Sequence, residues 1–183
     1  MAKFIVIAYY TPRYKQEAEE LEKTLKEFNL DYEIKAIEDK GGWDRNTHYK
    51  PMIIREALEK YRKPVLYVDA DARIKKYPAL IDEIAGKYDI AYHCYGGWRV
   101  ASGTLLFDYN QRVIDFIKEW EAECQKEESL SIWEQKILEE LLKERRLKTY
   151  LLPEDYLYIF DLAITKCEPV ILHTQASRRF KEV

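Results

Sequence analysis

The chain opens on an unbroken apolar run, Phe4-Ile5-Val6-Ile7-Ala8. Apolar side chains without polar alternation suit a strand covered on both faces, so Lys3 to Ala8 is predicted as a buried strand. Thr11-Pro12 ends it. The period then lengthens: Tyr14, Ala18, Leu21, Leu25 and Phe28 recur at helical spacing with Lys and Glu between them, which predicts an amphipathic helix. Asp31 to Ile37 alternates polar and apolar residues as a strand does. A loop over Glu38 to Tyr49 carries Gly41-Gly42, and Lys50-Pro51 opens a second helix, since proline in the first turn gives up an N–H that has no partner there. Ile54, Ala57, Leu58 and Tyr61 form the apolar face of that helix. Pro64 to Val68 is a third strand. This order implies right-handed crossovers and a mainly parallel central sheet flanked by helices, whose ligands sit at the carboxyl ends of the strands.

Downstream, the pattern predicts a helix at Pro78 to Ala85, a strand at Asp89 to His93, a glycine-rich loop from Tyr95 to Gly103 and a strand at Thr104 to Phe107. Helices at Gln111 to Cys124 and Ile132 to Glu144 follow, then short strands at Lys148 to Leu151 and Val170 to Leu172. With no repeat or linker, 183 residues of which 47% are hydrophobic are expected to form a single α/β domain over residues 1–183. Thirty basic against thirty-three acidic residues exclude the basic footprint of a general nucleic-acid binder. No apolar run approaches the roughly 20 residues of a membrane helix, so a soluble, cytoplasmic protein is expected. Cys94, Cys124 and Cys167 show no metal-binding spacing and are expected as reduced thiols.

The candidate chemistry begins at Asp69-Ala70-Asp71, directly after Val65-Leu66-Tyr67-Val68. In extended chain, residues i and i+2 face the same side, so two hard oxygen donors meet at the sheet edge where ligands bind. Mg²⁺ or Mn²⁺ is commonly held by one or two carboxylates plus phosphate oxygens. A bare Asp-x-Asp is more often a polar turn. Here it ends the third strand of an α/β pattern, and His173 follows a further strand, Pro169-Val170-Ile171-Leu172.

Lys50-Pro51, Val68-Asp69-Ala70-Asp71, Ala101-Ser102-Gly103-Thr104, Glu134-Gln135 and Ile171-Leu172-His173 occur in that order. With these motifs the sequence resembles the GT-A glycosyltransferases, in particular the small nucleotide-diphospho-sugar transferases whose central strand ends in a DxD motif. The resemblance spans most of the chain. It implies a metal-dependent enzyme that moves a sugar from a nucleotide-diphosphate sugar to an acceptor, whether glycan, lipid or small molecule. Mn²⁺ or Mg²⁺ would be the cofactor, stabilising the leaving diphosphate. Asp71 would chelate the metal and Asp69 would reach the ribose or a metal-bound water, with Ala70 beside them against the donor. His173 would be the third protein ligand, a type of donor that favours Mn²⁺.

The supporting positions each keep two readings. Ala8-Tyr9-Tyr10-Thr11 faces the nucleobase and ribose by the resemblance, while core packing accounts for Tyr9 equally well. Lys50 opposes the dipole at the start of its helix, which a bound phosphate would rationalise and plain solvation would also permit. Ser102 and Gly103 close a loop with Trp98 and Arg99 that suits sugar binding or is simply a surface loop. His173 is a metal ligand or a histidine bonded to a carbonyl. Glu134 lies on the apolar stripe of Ile137, Leu138 and Leu141, as an acceptor-side or catalytic carboxylate, or it completes a Ser131-Ile132-Trp133-Glu134 capping box. Arg178, Arg179 and Lys181 form a lid over the diphosphate or a basic tail.

Two other functions stay open: a non-catalytic sugar-nucleotide-binding protein, and a nucleotidyltransferase, although Ala8 to Arg13 lacks the glycine-rich loop of that class. Little chain follows His173, which leaves homo-oligomerisation as a source of an acceptor wall.

Overall fold

The structure, a computed structural model, describes residues 2–97 and 99–180. Its elements run β1 (Ile5–Tyr10), α1 (Lys15–Glu27), β2 (Tyr32–Ala36), α2 (Trp43–Thr47), α3 (Lys50–Tyr61), β3 (Val65–Val68), β4 (Ala72–Ile74) and α4 (Ala79–Ile84). They continue through β5 (Ile90–Tyr95), β6 (Arg99–Phe107), α5 (Gln111–Cys124), α6 (Glu134–Glu144), β7 (Thr149–Leu151), β8 (Ile171–His173) and α7 (Ala176–Phe180).

The central sheet has the order β2-β1-β3-β6-β5-β7. Pairing is parallel for β1 with β2, β1 with β3 and β5 with β7, whereas β6 runs antiparallel to both β3 and β5. The sheet is therefore parallel in its first half and mixed beyond it. Alternation along the buried strands feeds two cores. Ile5, Ile7, Val65 and Tyr67 pack on one face with α3, α5 and α6, where Trp120 is wholly buried. Phe4, Val6, Leu66 and Val68 pack on the other with Leu21 and Leu25 of α1 and Ile81 of α4. That two-sided burial is why the strands read as continuous apolar runs. No described helix is long and apolar enough to cross a membrane.

Four departures from the sequence expectation bear on the site. The expected loop over Glu38 to Tyr49 contains α2. The strand β4 follows Asp71 directly and pairs antiparallel with β8, so that Ala72 lies opposite His173 in a separate two-stranded sheet. The expected glycine-rich loop is mostly strand: the chain reverses at Gly96 and Gly97, both at positive φ, and β6 starts at Arg99. Finally, α6 starts at Glu134, with Trp133 at its cap and no side-chain cap bond, so the Ser131 capping box does not form.

Candidate active site

Val68 is the last residue of β3 to pair with β6, and the Asp69 amide still donates to the Gly103 carbonyl at 2.9 Å. The chain then turns, with the Ala72 amide donating to the Asp69 carbonyl at 2.9 Å. The two carboxylates thus converge across a tight turn rather than along extended chain. The β4–β8 pairing brings in His173, and one ligand atom each from Asp69, Asp71 and His173 lie within 4.8 Å of one another.

The surroundings hold these groups in place. His173 is 2% exposed. Its Nε2 is 2.8 Å from Thr104 Oγ1, and its Nδ1 is 3.6 Å from Asp71 Oδ1. Asp71 Oδ2 accepts the Ala176 amide at 2.8 Å and so anchors the start of α7. Burial pushes the Asp71 carboxyl up, but the neighbouring His173 and the Ala176 amide outweigh it, and the group lies below the usual aspartate range. Gly103 is in a tight place: a Cβ there would sit 3.2 Å from both Asp69 Oδ2 and His173 Cε1, closer than most side chains pack.

Beside this triad lies a buried cation. Lys50 is 2% exposed, and its Nζ donates to Glu134 Oε1 at 2.6 Å, Ser102 Oγ at 3.0 Å and the Ser102 carbonyl at 3.1 Å. Asp69 Oδ1 is 3.4 Å away, and the ring of Tyr67 lies beneath the ammonium at 5.1 Å. Burial alone would lower the lysine pKa; the Asp69 and Glu134 carboxylates overcome it and raise the pKa above the ordinary value. For Glu134, burial pushes up, while the charge and hydrogen bonds of Lys50 and the Ser102 hydroxyl pull the pKa below the ordinary value. Both directions describe a charged pair at neutral pH. Tyr67 completes the network by donating its hydroxyl to Asp69 Oδ1 at 2.8 Å.

These groups open into one cleft of about 630 Å³, within the ~300–1,000 Å³ usual for small-molecule sites. The cleft gathers most of the residues singled out from sequence. Tyr9, Tyr10, Thr11, Lys50, Asp69, Ala70, Asp71, Ser102, Gly103, Glu134, His173 and Arg178 all line it. Ala8 is fully buried in the core and is not among the described lining residues. Tyr9 is 8% exposed, packs against Tyr67 at 6.1 Å between ring centroids and donates its hydroxyl to the Asn46 carbonyl at 2.8 Å. Arg178 is ion-paired with Asp161 and Arg179 with Glu17. Lys181 lies outside the described residues.

Sequence reasoning missed several lining residues: Arg13, Tyr14, Asp39, Trp43, Asn46 and Tyr95. Burial and the nearby Asp71 push the Tyr14 hydroxyl up to about 12, so it remains a hydrogen-bond donor. Trp43 and Trp133 meet edge to face at 5.9 Å, and His48 Nε2 bonds the Ile132 carbonyl at 2.8 Å, tying α2 to the approach to α6. The sequence cue to this wall was slight, a single tryptophan, Trp43, beside Gly41-Gly42.

No protein-family model matches the sequence, and no curated protein matches it. Solved structures do. A glycosyltransferase involved in the glycosylation of the major capsid of PBCV-1 superposes with a TM-score of 0.79 over 97% of this chain and 95% of its own, at 13% identity. The glycosyltransferase GlyE of Streptococcus pneumoniae TIGR4 superposes at 0.64 with 17% identity, and its apo form at 0.66 with 19% identity. Each GlyE match covers 94% of this chain and 54% of the GlyE chain, so this chain spans about half of GlyE. The chain therefore has a GT-A-like glycosyltransferase fold.

Proposed function

We propose that this chain is a divalent-metal-dependent glycosyltransferase that takes its sugar from a nucleotide-diphosphate sugar. One observation carries the reading: Asp69, Asp71 and His173 converge within 4.8 Å in the main cleft, beside the buried ammonium of Lys50.

The residues fit a metal. Two carboxylates and an imidazole make a mixed oxygen and nitrogen donor set suited to Mn²⁺, with Mg²⁺ the alternative. With Thr104 engaging Nε2, the His173 ring turns Nδ1 toward Asp71, the arrangement in which an outer hydrogen bond fixes a ligating histidine. A bound divalent ion would supply Lewis-acid stabilisation of the departing diphosphate.

In the transfer, an acceptor hydroxyl oxygen bonds to the anomeric carbon, and the bond from that carbon to the diphosphate oxygen breaks. The hydroxyl proton passes to solvent or a base, and the nucleoside diphosphate leaves. Tyr10, Thr11 and Ala70 line the nucleoside end, and Arg178 reaches the diphosphate by exchanging Asp161 for it. Lys50 contributes its positive charge beside Asp69, its three N–H groups being given to Glu134 and Ser102. Glu134 holds Lys50 and Ser102 in place through its bonds to Lys50 Nζ and Ser102 Oγ.

The test is a thermal-shift screen of nucleoside diphosphates and nucleotide sugars with and without Mn²⁺ or Mg²⁺, followed by donor hydrolysis in the same samples. Stabilisation that requires the metal and disappears in Asp71→Ala is expected. Nucleotide stabilisation indifferent to both would sink the metal site. Metal-dependent binding with neither hydrolysis nor transfer would make the chain a sugar-nucleotide-binding protein.

A further inference from the structure

The lining of the cleft divides by chemistry. The part around Lys50, Asp69, Asp71, Glu134 and Arg178 is charged. Another part is a wall of Tyr95, Ala101, Leu157, Ile159, Leu162 and Ile164. Its base is packed: Ala101, Leu157 and Ile159 are at most 6% exposed and form a small apolar cluster with Tyr95. Its rim is open, with Leu162 at 48% and Ile164 at 83%, and Phe160 on the same segment at 67%.

Hydrogen bonds tie the backbone of the wall down. Glu154 accepts the Ile164 amide at 2.6 Å and the Thr165 amide at 2.8 Å, and the Leu162 amide bonds the Ile159 carbonyl at 2.9 Å. Asp161, between Phe160 and Leu162, pairs with Arg178. The wall also starts at the metal triad, since the His173 amide donates to the Tyr158 carbonyl at 2.9 Å. The segment thus presents the exposed side chains of Leu162 and Ile164 to water on the lining of the cleft that holds the candidate reaction centre, and exposed apolar surface beside such a centre suits a binding surface.

The diphosphate and sugars of the donor do not suit it. A diphosphate flanked by two sugars would lose hydration there without gaining partners. The Tyr95 hydroxyl is already given to the Leu157 carbonyl at 3.0 Å. A bare oligosaccharide meets the same obstacle beyond its first residue, whereas a hydrocarbon chain gains by the contact.

We infer that the acceptor is an amphiphile, a hydroxyl-bearing headgroup on a hydrocarbon chain, with the headgroup at the metal triad and the chain along Leu157, Ile159, Leu162 and Ile164. This rests on the glycosyl-transfer reading for the word acceptor, but the apolar subsite is measurable without a donor.

Calorimetric titration with methyl, hexyl, octyl and decyl β-glucosides and β-galactosides, below their micelle concentrations, tests it. Affinity is expected to rise with chain length, by about tenfold or more from methyl to octyl. The Leu162→Ser/Ile164→Ser variant, altered at exposed positions and checked by its melting temperature, loses that rise. Leu162→Met/Ile164→Leu keeps it. In transfer assays the same rise appears as a falling acceptor KM. Equal affinity for methyl and octyl glycosides overturns the inference, as does a rise that persists in the serine variant. So does binding to phosphatidylcholine vesicles, or a dimer, that the serine variant abolishes while short-chain and long-chain glycosides bind alike. Absence of both donor hydrolysis and transfer would instead defeat the transferase reading and leave the titration result standing.

Discussion

Lys50 Nζ and Glu134 Oε1 lie 2.6 Å apart, with both side chains only 3% exposed. Eighty-four residues separate them in sequence, and the pair clamps the start of α3 to the start of α6. Removing one partner of a buried pair strands the other charge, at a cost of about 3–5 kcal/mol. Glu134→Ala is therefore expected to lower the unfolding free energy by about that amount, moderated by the nearby Asp69, when measured by urea denaturation. The double variant Lys50→Met/Glu134→Leu should recover most of the loss, because it buries no unpaired charge. It should not recover nucleotide-sugar binding, which the thermal-shift assay reads separately.

The same pair sets a pH dependence with two arms. Glu134 has its folded pKa below the ordinary 4.5, so its contribution is complete above pH 4.5 and fades as pH falls through the folded value. Lys50 has its folded pKa above the ordinary 10.5, so its contribution is complete below pH 10.5 and fades as pH rises through the folded value. Between these limits the pair contributes a constant amount. Subtracting the unfolding free energy of Glu134→Gln from that of the wild type across pH isolates the acid arm. A flat difference from pH 3 to pH 7 would contradict the assignment.

The buried pair also shows what the sequence could carry. The strands β1 and β3 and the helices α3 and α5 follow from apolar runs and helical periods, and their observed limits lie within about two residues of the expected ones. The strand β4 has three residues and α2 has five, too few for a period to emerge. Ser102 and Gly103 suggested a loop because both are common in loops, yet Gly103 sits inside a strand where two site residues approach closely. Lys50 looked solvated or phosphate-bound because its partners lie 52 and 84 residues away. The closeness of Asp69, Asp71 and His173 was legible as a candidate, since Asp69 and His173 each follow an apolar run and Asp71 stands two residues on; what holds the three together was not.

Gly103 offers a sharp probe of that holding. Its φ is not in the left-handed region, so alanine meets no backbone penalty there, and the effect of Gly103→Ala is confined to crowding. The new methyl would stand 3.2 Å from Asp69 Oδ2 and His173 Cε1, which tilts two of the three candidate ligands. The expected result is a loss of Mn²⁺ affinity of about tenfold or more in the presence of nucleoside diphosphate, with a fold that still melts cooperatively. Unchanged Mn²⁺ affinity would show that Asp69 and His173 yield to the methyl without losing the metal, or do not hold it.

Thr104 acts on His173 from the opposite ring nitrogen. Its hydroxyl oxygen, 2.8 Å from Nε2, would accept that N–H when Nδ1 gives its lone pair to a metal, which fixes the ring and raises the basicity of the ligating nitrogen. Thr104 is wholly buried, and valine has nearly the same shape, so Thr104→Val removes the acceptor without opening a cavity. It also leaves a buried imidazole N–H unpaired, a cost of about 1–3 kcal/mol that favours rotation of the ring away from the metal position. Outer-shell losses of this kind typically weaken metal binding by about 10–100-fold. Thr104→Ser restores the hydroxyl and should restore most of the affinity. Calorimetric Mn²⁺ titration of the three proteins distinguishes this role from packing alone: packing predicts that valine, the closer match in shape, binds metal better than serine, and the hydrogen bond predicts the reverse.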